Sequence, residues 1–208
     1  MATMALVRKT AFTLLLFAFG PCVSGPDVPN LRSPGRTIVC LGDSITSGYG
    51  APGAAFPEIL ASKLGTEVIN QGVEGDTAEN GLDRVDEALA ADPWLVVVEL
   101  GGNDILNRVP PERTEAALRS ILQRLLAANV VPMLVEVEVP FAGRYAEIYE
   151  KLADEYNVPV VDDALGEILL NPSLKSDPIH PNAQGQVVLA EAIADEIEPL
   201  IEARREAR

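Results

Sequence analysis

The sequence is poor in the residues on which several common chemistries depend. Its 208 residues include one histidine, His180, and two cysteines, Cys22 and Cys40. One imidazole and two separated thiols supply no ligand cluster, so no metal site is implied. Cys40 lies inside a short apolar run and reads as a small buried hydrophobe. No disulfide framework is implied. Basic residues are also few: 16 Lys and Arg face 31 Asp and Glu, a formal net charge of −15. The basic pairs Arg8-Lys9 and Arg204-Arg205 sit at opposite ends, which leaves no patch for nucleic acid. The most apolar stretch, Ala11 to Gly20, is too short to span a bilayer comfortably.

That stretch has another reading. Arg8 and Lys9 precede it, and Ser24 and Gly25 follow. Residues 1–25 are therefore expected to be an export signal or a retained N-terminal anchor. Lipidation at Cys22 is disfavoured by Pro21. The protein is expected to be exported, periplasmic or extracellular, with any membrane attachment through this segment alone. Residues 26–36 are rich in Pro and polar side chains and read as a linker, and 204–208 as a C-terminal tail. The remaining 37–203, in a chain that is 48% hydrophobic, suffice for one domain with a sizeable core.

Within that domain, short runs rich in Val, Ile and Leu alternate with helical patterns. Strands are predicted at Thr37–Leu41, Glu67–Asn70, Trp94–Leu100, Met133–Val139 and Val158–Val161. The alternation of Val135, Glu136, Val137, Glu138 and Val139 predicts one polar or solvated face on the fourth. Helices are predicted at Phe56–Leu64, Ala78–Ala90, Glu112–Ala128, Tyr145–Tyr156 and Asn182–Ala203. This order implies an α/β fold with a parallel sheet and helices on both faces. In such sheets ligands bind beyond the carboxyl ends of the strands. The segments expected there are Gly42-Asp43-Ser44, Asn70 to Thr77, Gly101-Gly102-Asn103-Asp104 and Asp177-Pro178-Ile179-His180.

Those segments carry the parts of a nucleophilic site. A serine hydroxyl needs a base, usually histidine, and the base needs a carboxylate to orient it. The only available base of that kind is His180, and Asp177 can reach its Nδ1 through one tight turn. The backbone N–H groups of Ser44 and Gly75 and the Asn103 amide are candidate oxyanion donors. Singly, each residue has a structural reading: Ser44 or Asp177 as a helix cap, Gly75 and Asn103 as turn residues, His180 as a surface histidine. The combination points to catalysis.

Ile38 to Thr46, with Gly42-Asp43-Ser44, resembles the first block of the GDSL, or SGNH, hydrolases. Gly75-Asp76-Thr77, Val98 to Asp104 and Asp177 to Asn182 resemble their glycine, asparagine and final blocks. The four stand in order and cover about residues 37–200, nearest the thioesterase I / lysophospholipase L1 / arylesterase branch. The resemblance implies a flavodoxin-like three-layer α/β/α sandwich with five parallel strands. It implies Ser44 as nucleophile, His180 as base, Asp177 as its orienter, and Ser44, Gly75 and Asn103 as the oxyanion hole.

The expected function is hydrolysis of small acyl esters, with thioesters and lysophospholipids as further candidates, through an acyl-enzyme and without a cofactor. Leu106, Pro140, Phe141 and Ile179 are expected to line an acyl pocket suited to short or medium chains. A monomer is favoured. The rivals are an acetyl-specific carbohydrate esterase and a non-catalytic, envelope-tethered binding module. No G-x-S-x-G is present, which argues against an α/β-hydrolase nucleophile elbow. Gly48-Tyr49-Gly50-Ala51-Pro52-Gly53 formally matches a dinucleotide fingerprint, but it starts too far beyond its strand and is broken by Pro52.

Overall fold

The computed structural model describes residues 27–137 and 143–206. Five strands form one parallel sheet: β1 (Thr37–Gly42), β2 (Val68–Gly72), β3 (Pro93–Glu99), β4 (Val131–Val135) and β5 (Val160–Val161). Their order is β2-β1-β3-β4-β5, the flavodoxin-like arrangement that the family resemblance implies. Every residue of β1, β3 and β4 is buried, which accounts for their nearly unbroken apolar runs.

The helices are α1 (Ser44–Ser47), α2 (Phe56–Leu64), α3 (Ala78–Asp83), α4 (Val85–Ala90), α5 (Gly102–Leu106), α6 (Pro111–Ala127), α7 (Ala146–Tyr156), α8 (Ala164–Leu170) and α9 (Ala183–Glu206). Helix α9 packs on α2 and α8; α6 packs on α3, α4 and α7. These two groups are the outer layers of the sandwich. Burial of Leu118, Ile121, Leu122 and Leu125 on α6 follows its helical spacing.

Several boundaries differ from expectation. The helix predicted over Ala78–Ala90 is two helices, broken at Arg84, whose N–H closes α3 onto the Gly81 carbonyl. The fourth strand begins two residues early and ends at Val135. Pro132 lies within it and pairs in register with Val96. Glu136 does not face solvent: it is buried, and its N–H donates to the Val161 carbonyl. Residues 138 and 139 lie outside the described residues, as do 1–25 with Cys22.

The two ends of the domain are tied together. Asn30 donates to the Leu126 and Val130 carbonyls, so the segment read as a linker lies against α6. Arg204 is helical and buried, not part of a free tail. It donates to the carbonyls of Leu31, Ser33 and Gly35 and lies 4.5 Å over the Trp94 ring. Among the described residues no helix is long and apolar enough to cross a membrane.

Candidate active site

Strand order reverses between β1 and β3, so the segments leaving their carboxyl ends flank a crevice. Two glycines let these segments approach. A Cβ on Gly42 would sit 1.9 Å from Thr46 Oγ1, and one on Gly101 would sit 2.1 Å from the Tyr149 hydroxyl, which donates to the Leu100 carbonyl. Gly101 also has φ +120, a region that L side chains rarely enter.

Ser44 opens α1. Asp43 caps that helix, its Oδ1 accepting from the Ile45 N–H at 2.9 Å. The N–H of Ser44 lies in the first turn, where no intrahelical carbonyl can take it. Behind the turn, buried Gln186 of α9 donates to the Ile45 carbonyl and accepts from the Phe56 N–H, which binds α1, α2 and α9 into one unit. Sequence reasoning missed Gln186, because nothing in a polar residue on a surface-type helix announces burial.

His180 arrives on the loop before α9. The loop is stiff: Lys175 and Pro181 form a bridge, Ser176 N–H donates to the His180 carbonyl, and Asn182 N–H donates to that of Leu174. Asp177 uses both carboxylate oxygens. Oδ1 accepts from the N–H groups of Ile179 and His180, each at 2.9 Å, and Oδ2 meets His180 Nδ1 at 2.7 Å. Partial burial opposes ionisation of Asp177, but the hydrogen bonds from Ile179 and from the ring and backbone of His180 outweigh it and hold the carboxyl below its ordinary range. An ionised Asp177 can only accept, so Nδ1 carries the imidazole proton and Nε2 presents its lone pair. Ser44 Oγ lies 3.0 Å from that Nε2, well placed to donate to it. The Tyr49 ring packs against the imidazole, centroids 4.5 Å apart.

Asn103, on α5, is in the same cluster. Its Nδ2 donates to Asp43 Oδ2 and to the Asp76 carbonyl, both at 2.9 Å. Gly75 is exposed in the turn just before Asp76, with φ +85, and is not among the residues that line the crevice. That turn is clamped by Arg84, whose guanidinium holds the Asp76 carboxylate at 2.8 Å and the carbonyls of Gln71 and Gly42 at 2.9 and 3.0 Å. Sequence reading gave Arg84 no role within the helix expected over Ala78–Ala90. Asp104 is fully buried and accepts from the Ala78 N–H and the Thr114 hydroxyl, which docks α3 and α6 beside the site.

A crevice with a cavity of about 60 Å³ opens beside Ser44 and His180. Leu106 and Ile179 line it, and so do Ile105, Val137 and Leu169. Leu169 belongs to α8, a seven-residue helix too short for its periodicity to be read. Pro140 and Phe141 lie outside the described residues.

Residues 40–188 match the GDSL-like lipase/acylhydrolase family. The chain is 40% identical over 176 residues to the thioesterase 1/protease 1/lysophospholipase L1 of Escherichia coli K12, covering 79% of this chain and 85% of that protein. It is 33% identical over 174 residues to an arylesterase of Vibrio mimicus, covering 77% and 87%. Among solved structures, the SGNH-hydrolase family esterase AlinE4 aligns with a TM-score of 0.63 at 30% identity, covering 79% of this chain and 95% of that one. TesA aligns with a TM-score of 0.72 at 27% identity, covering 79% and 99%. With its blocks gathered at one edge of a flavodoxin-like sheet, the chain belongs to the GDSL-like lipase/acylhydrolase family.

Proposed function

We propose that the protein is a serine esterase that hydrolyses short acyl esters by a two-step acyl-enzyme mechanism, with Ser44 as nucleophile, His180 as base and Asp177 as orienter. The observation that carries this reading is the unbroken line from Ser44 Oγ through the His180 ring to Asp177 Oδ2, with contacts of 3.0 and 2.7 Å. As Oγ bonds to the acyl carbon, its proton passes to Nε2. The carbonyl electron pair moves to oxygen. Asp177 stays ionised and stabilises the imidazolium. Collapse of the tetrahedral species breaks the bond to the leaving alkoxide, aryloxide or thiolate, which takes the proton from Nε2. Water then repeats the sequence on the acyl-enzyme and releases the acid.

The Ser44 and Gly75 N–H groups and the Asn103 amide are the proposed donors to the oxyanion. Both amide hydrogens of Asn103 are engaged, with Asp43 and with the Asp76 carbonyl. Oxyanion binding therefore exchanges one of these bonds for a stronger, charge-assisted one.

The apolar crevice supports a short acyl group. Ile105, Leu106, Val137, Leu169 and Ile179 give it an apolar lining beside Ser44 and His180. Acetyl esters of carbohydrates are a second reading. An acetylxylan esterase of Geobacillus stearothermophilus is 27% identical over 206 residues. Export directed by residues 1–25 would put the enzyme in contact with either substrate class; the charged start and short apolar core of that segment support it. The test is a panel of nitrophenyl esters of increasing chain length, an acyl thioester and an acetylated xylan, run on wild type and Ser44→Ala together. Short simple esters are expected to be best, with all turnover lost in the variant. Turnover confined to the xylan would select the second reading, and turnover surviving in Ser44→Ala would end both.

A further inference from the structure

We propose that Glu99 and Asp43 form a carboxyl–carboxylate pair in which Glu99 keeps its proton and donates it to Asp43, which makes Glu99 a positioning residue for Ser44 and Asn103. Glu99 ends β3, directly opposite Gly42 in the ladder, and is completely buried. One of its oxygens, Oε2, accepts from the Thr46 hydroxyl at 2.8 Å. The other, Oε1, is shut away from solvent and no donor reaches it. An ionised carboxylate with an oxygen in that condition is costly. A protonated one is not, provided the proton finds an acceptor.

The Asp43 carboxyl is the acceptor at hand. It is 2% exposed and lies beside the Glu99 carboxyl, close enough for the two to interact directly. Two carboxylates cannot bond to each other; a carboxylic acid and a carboxylate can. Asp43 is the better placed of the two to be the anion, because both its oxygens already accept: Oδ1 from the Ile45 N–H and Oδ2 from Asn103. Glu99 accepts from two neutral donors, the Thr46 hydroxyl and the Asp43 backbone N–H, and with Oε1 still lacking a hydrogen-bond partner it is the natural acid.

The charged surroundings agree. Asp43 is faced by Glu99, His180 and Asp76. Glu99 faces Asp43, Cys40 of β1 and Tyr149 of α7, and burial keeps that thiol and that phenol protonated. Burial, reinforced by the Asp43 charge, pushes Glu99 well above the ordinary carboxyl range. Burial also raises Asp43, to about 6, against the hydrogen bonds from Ile45 and Glu99 and the charge of His180. The pair thus holds a single proton across neutral pH. Loss of that proton would set two anions against each other at the base of the Ser44 turn. Asp43 would shift, and the α1 cap and the Asn103 amide with it.

The catalytic consequence rests on the esterase reading; the protonation state does not. The direct test is infrared difference spectroscopy of the whole protein at mildly alkaline pH, wild type against Glu99→Gln. The carbonyl stretch of a protonated carboxylic acid is expected in the wild type and absent in the variant. Its persistence in Glu99→Gln would overturn the proposal. Urea unfolding gives a second reading of the same proton. A carboxyl raised in the folded state contributes stability that is full below its unfolded value and lost as pH rises through its folded value. Wild type should lose stability toward alkaline pH with a slope that Glu99→Gln lacks; equal slopes would contradict the assignment.

In kinetics, Glu99→Ala is expected to lower kcat by roughly ten- to hundredfold, with KM nearly unchanged. Glu99→Gln, which still accepts from Thr46 and donates to Asp43, should restore kcat to within about threefold of wild type and extend activity to higher pH. A Glu99→Gln enzyme as slow as Glu99→Ala would sink the positioning role. If the wild type hydrolysed no ester, the functional reading would fail, while the infrared band and the urea slope would still report on the pair.

Discussion

The Ser44 hydroxyl and the His180 imidazole lie 3.0 Å apart, although 136 residues separate them along the chain. Two features bring them together. The strand-order switch delivers Ser44 to the crevice, and the Asp177 turn points the imidazole back at it. In the proposed mechanism neither works alone, since a serine hydroxyl is a weak nucleophile without a base.

Asp177 has two tasks that can be separated. Asp177→Asn can still accept from Ile179 through its amide oxygen, but it cannot stabilise an imidazolium. We expect kcat to fall by about 10⁴-fold with a modest change in KM, read from nitrophenyl ester kinetics. Because its carboxyl is held below the ordinary range, the Asp177 contribution to stability is present above the unfolded carboxyl value and lost as pH falls through the folded one. The wild-type advantage over the variant in thermal unfolding should therefore vanish in acid and return near neutrality.

Arg84 should act at a distance. Its guanidinium joins the ends of β1 and β2 to the turn that carries Gly75 and Asp76. Arg84→Ala would leave a largely buried Asp76 carboxylate without its cation and free the turn. A stability loss of about 3 kcal/mol in urea and a drop in kcat of roughly 10²-fold are expected. A variant with lowered stability and unchanged kcat would show that the clamp serves the fold alone.

The acyl crevice should respond to Leu169. Leu169→Ala enlarges it and should move the preferred ester toward longer chains by a few carbons. Leu169→Phe should confine activity to acetyl esters. Chain-length profiles of the two variants, normalised to wild type, are the measurement. Unchanged profiles would place the acyl group elsewhere. Each methylene accommodated or refused is worth about 0.8 kcal/mol, roughly fourfold in kcat/KM.

Much of this site was legible in the sequence, for physical reasons. The burial of β1, β3 and β4 on both faces forces continuous Val, Ile and Leu, so their positions could be read. A lone histidine left one candidate for an imidazole base. What stayed hidden depends on tertiary context. Arg84 looks like a surface residue because only folding sets three acceptors around it. Glu99 looks like an ordinary acid in an apolar strand, and nothing local says that its neighbour will be Asp43. Gln186 and α8 carry no periodic signal strong enough to reveal burial or length. The alternation around Glu136 left polar neighbours and solvent both open, and only the folded chain shows that the residue is buried.

The most direct test of the account is the site of covalent capture by a fluorophosphonate, which reacts with an activated serine. Intact-mass and peptide mapping of the labelled protein should find one adduct, on Ser44, formed rapidly in wild type. His180→Ala should slow it by at least about a thousandfold, and Ser44→Ala should show none. An adduct on another residue, or labelling of Ser44 at the same rate without the imidazole, would contradict it.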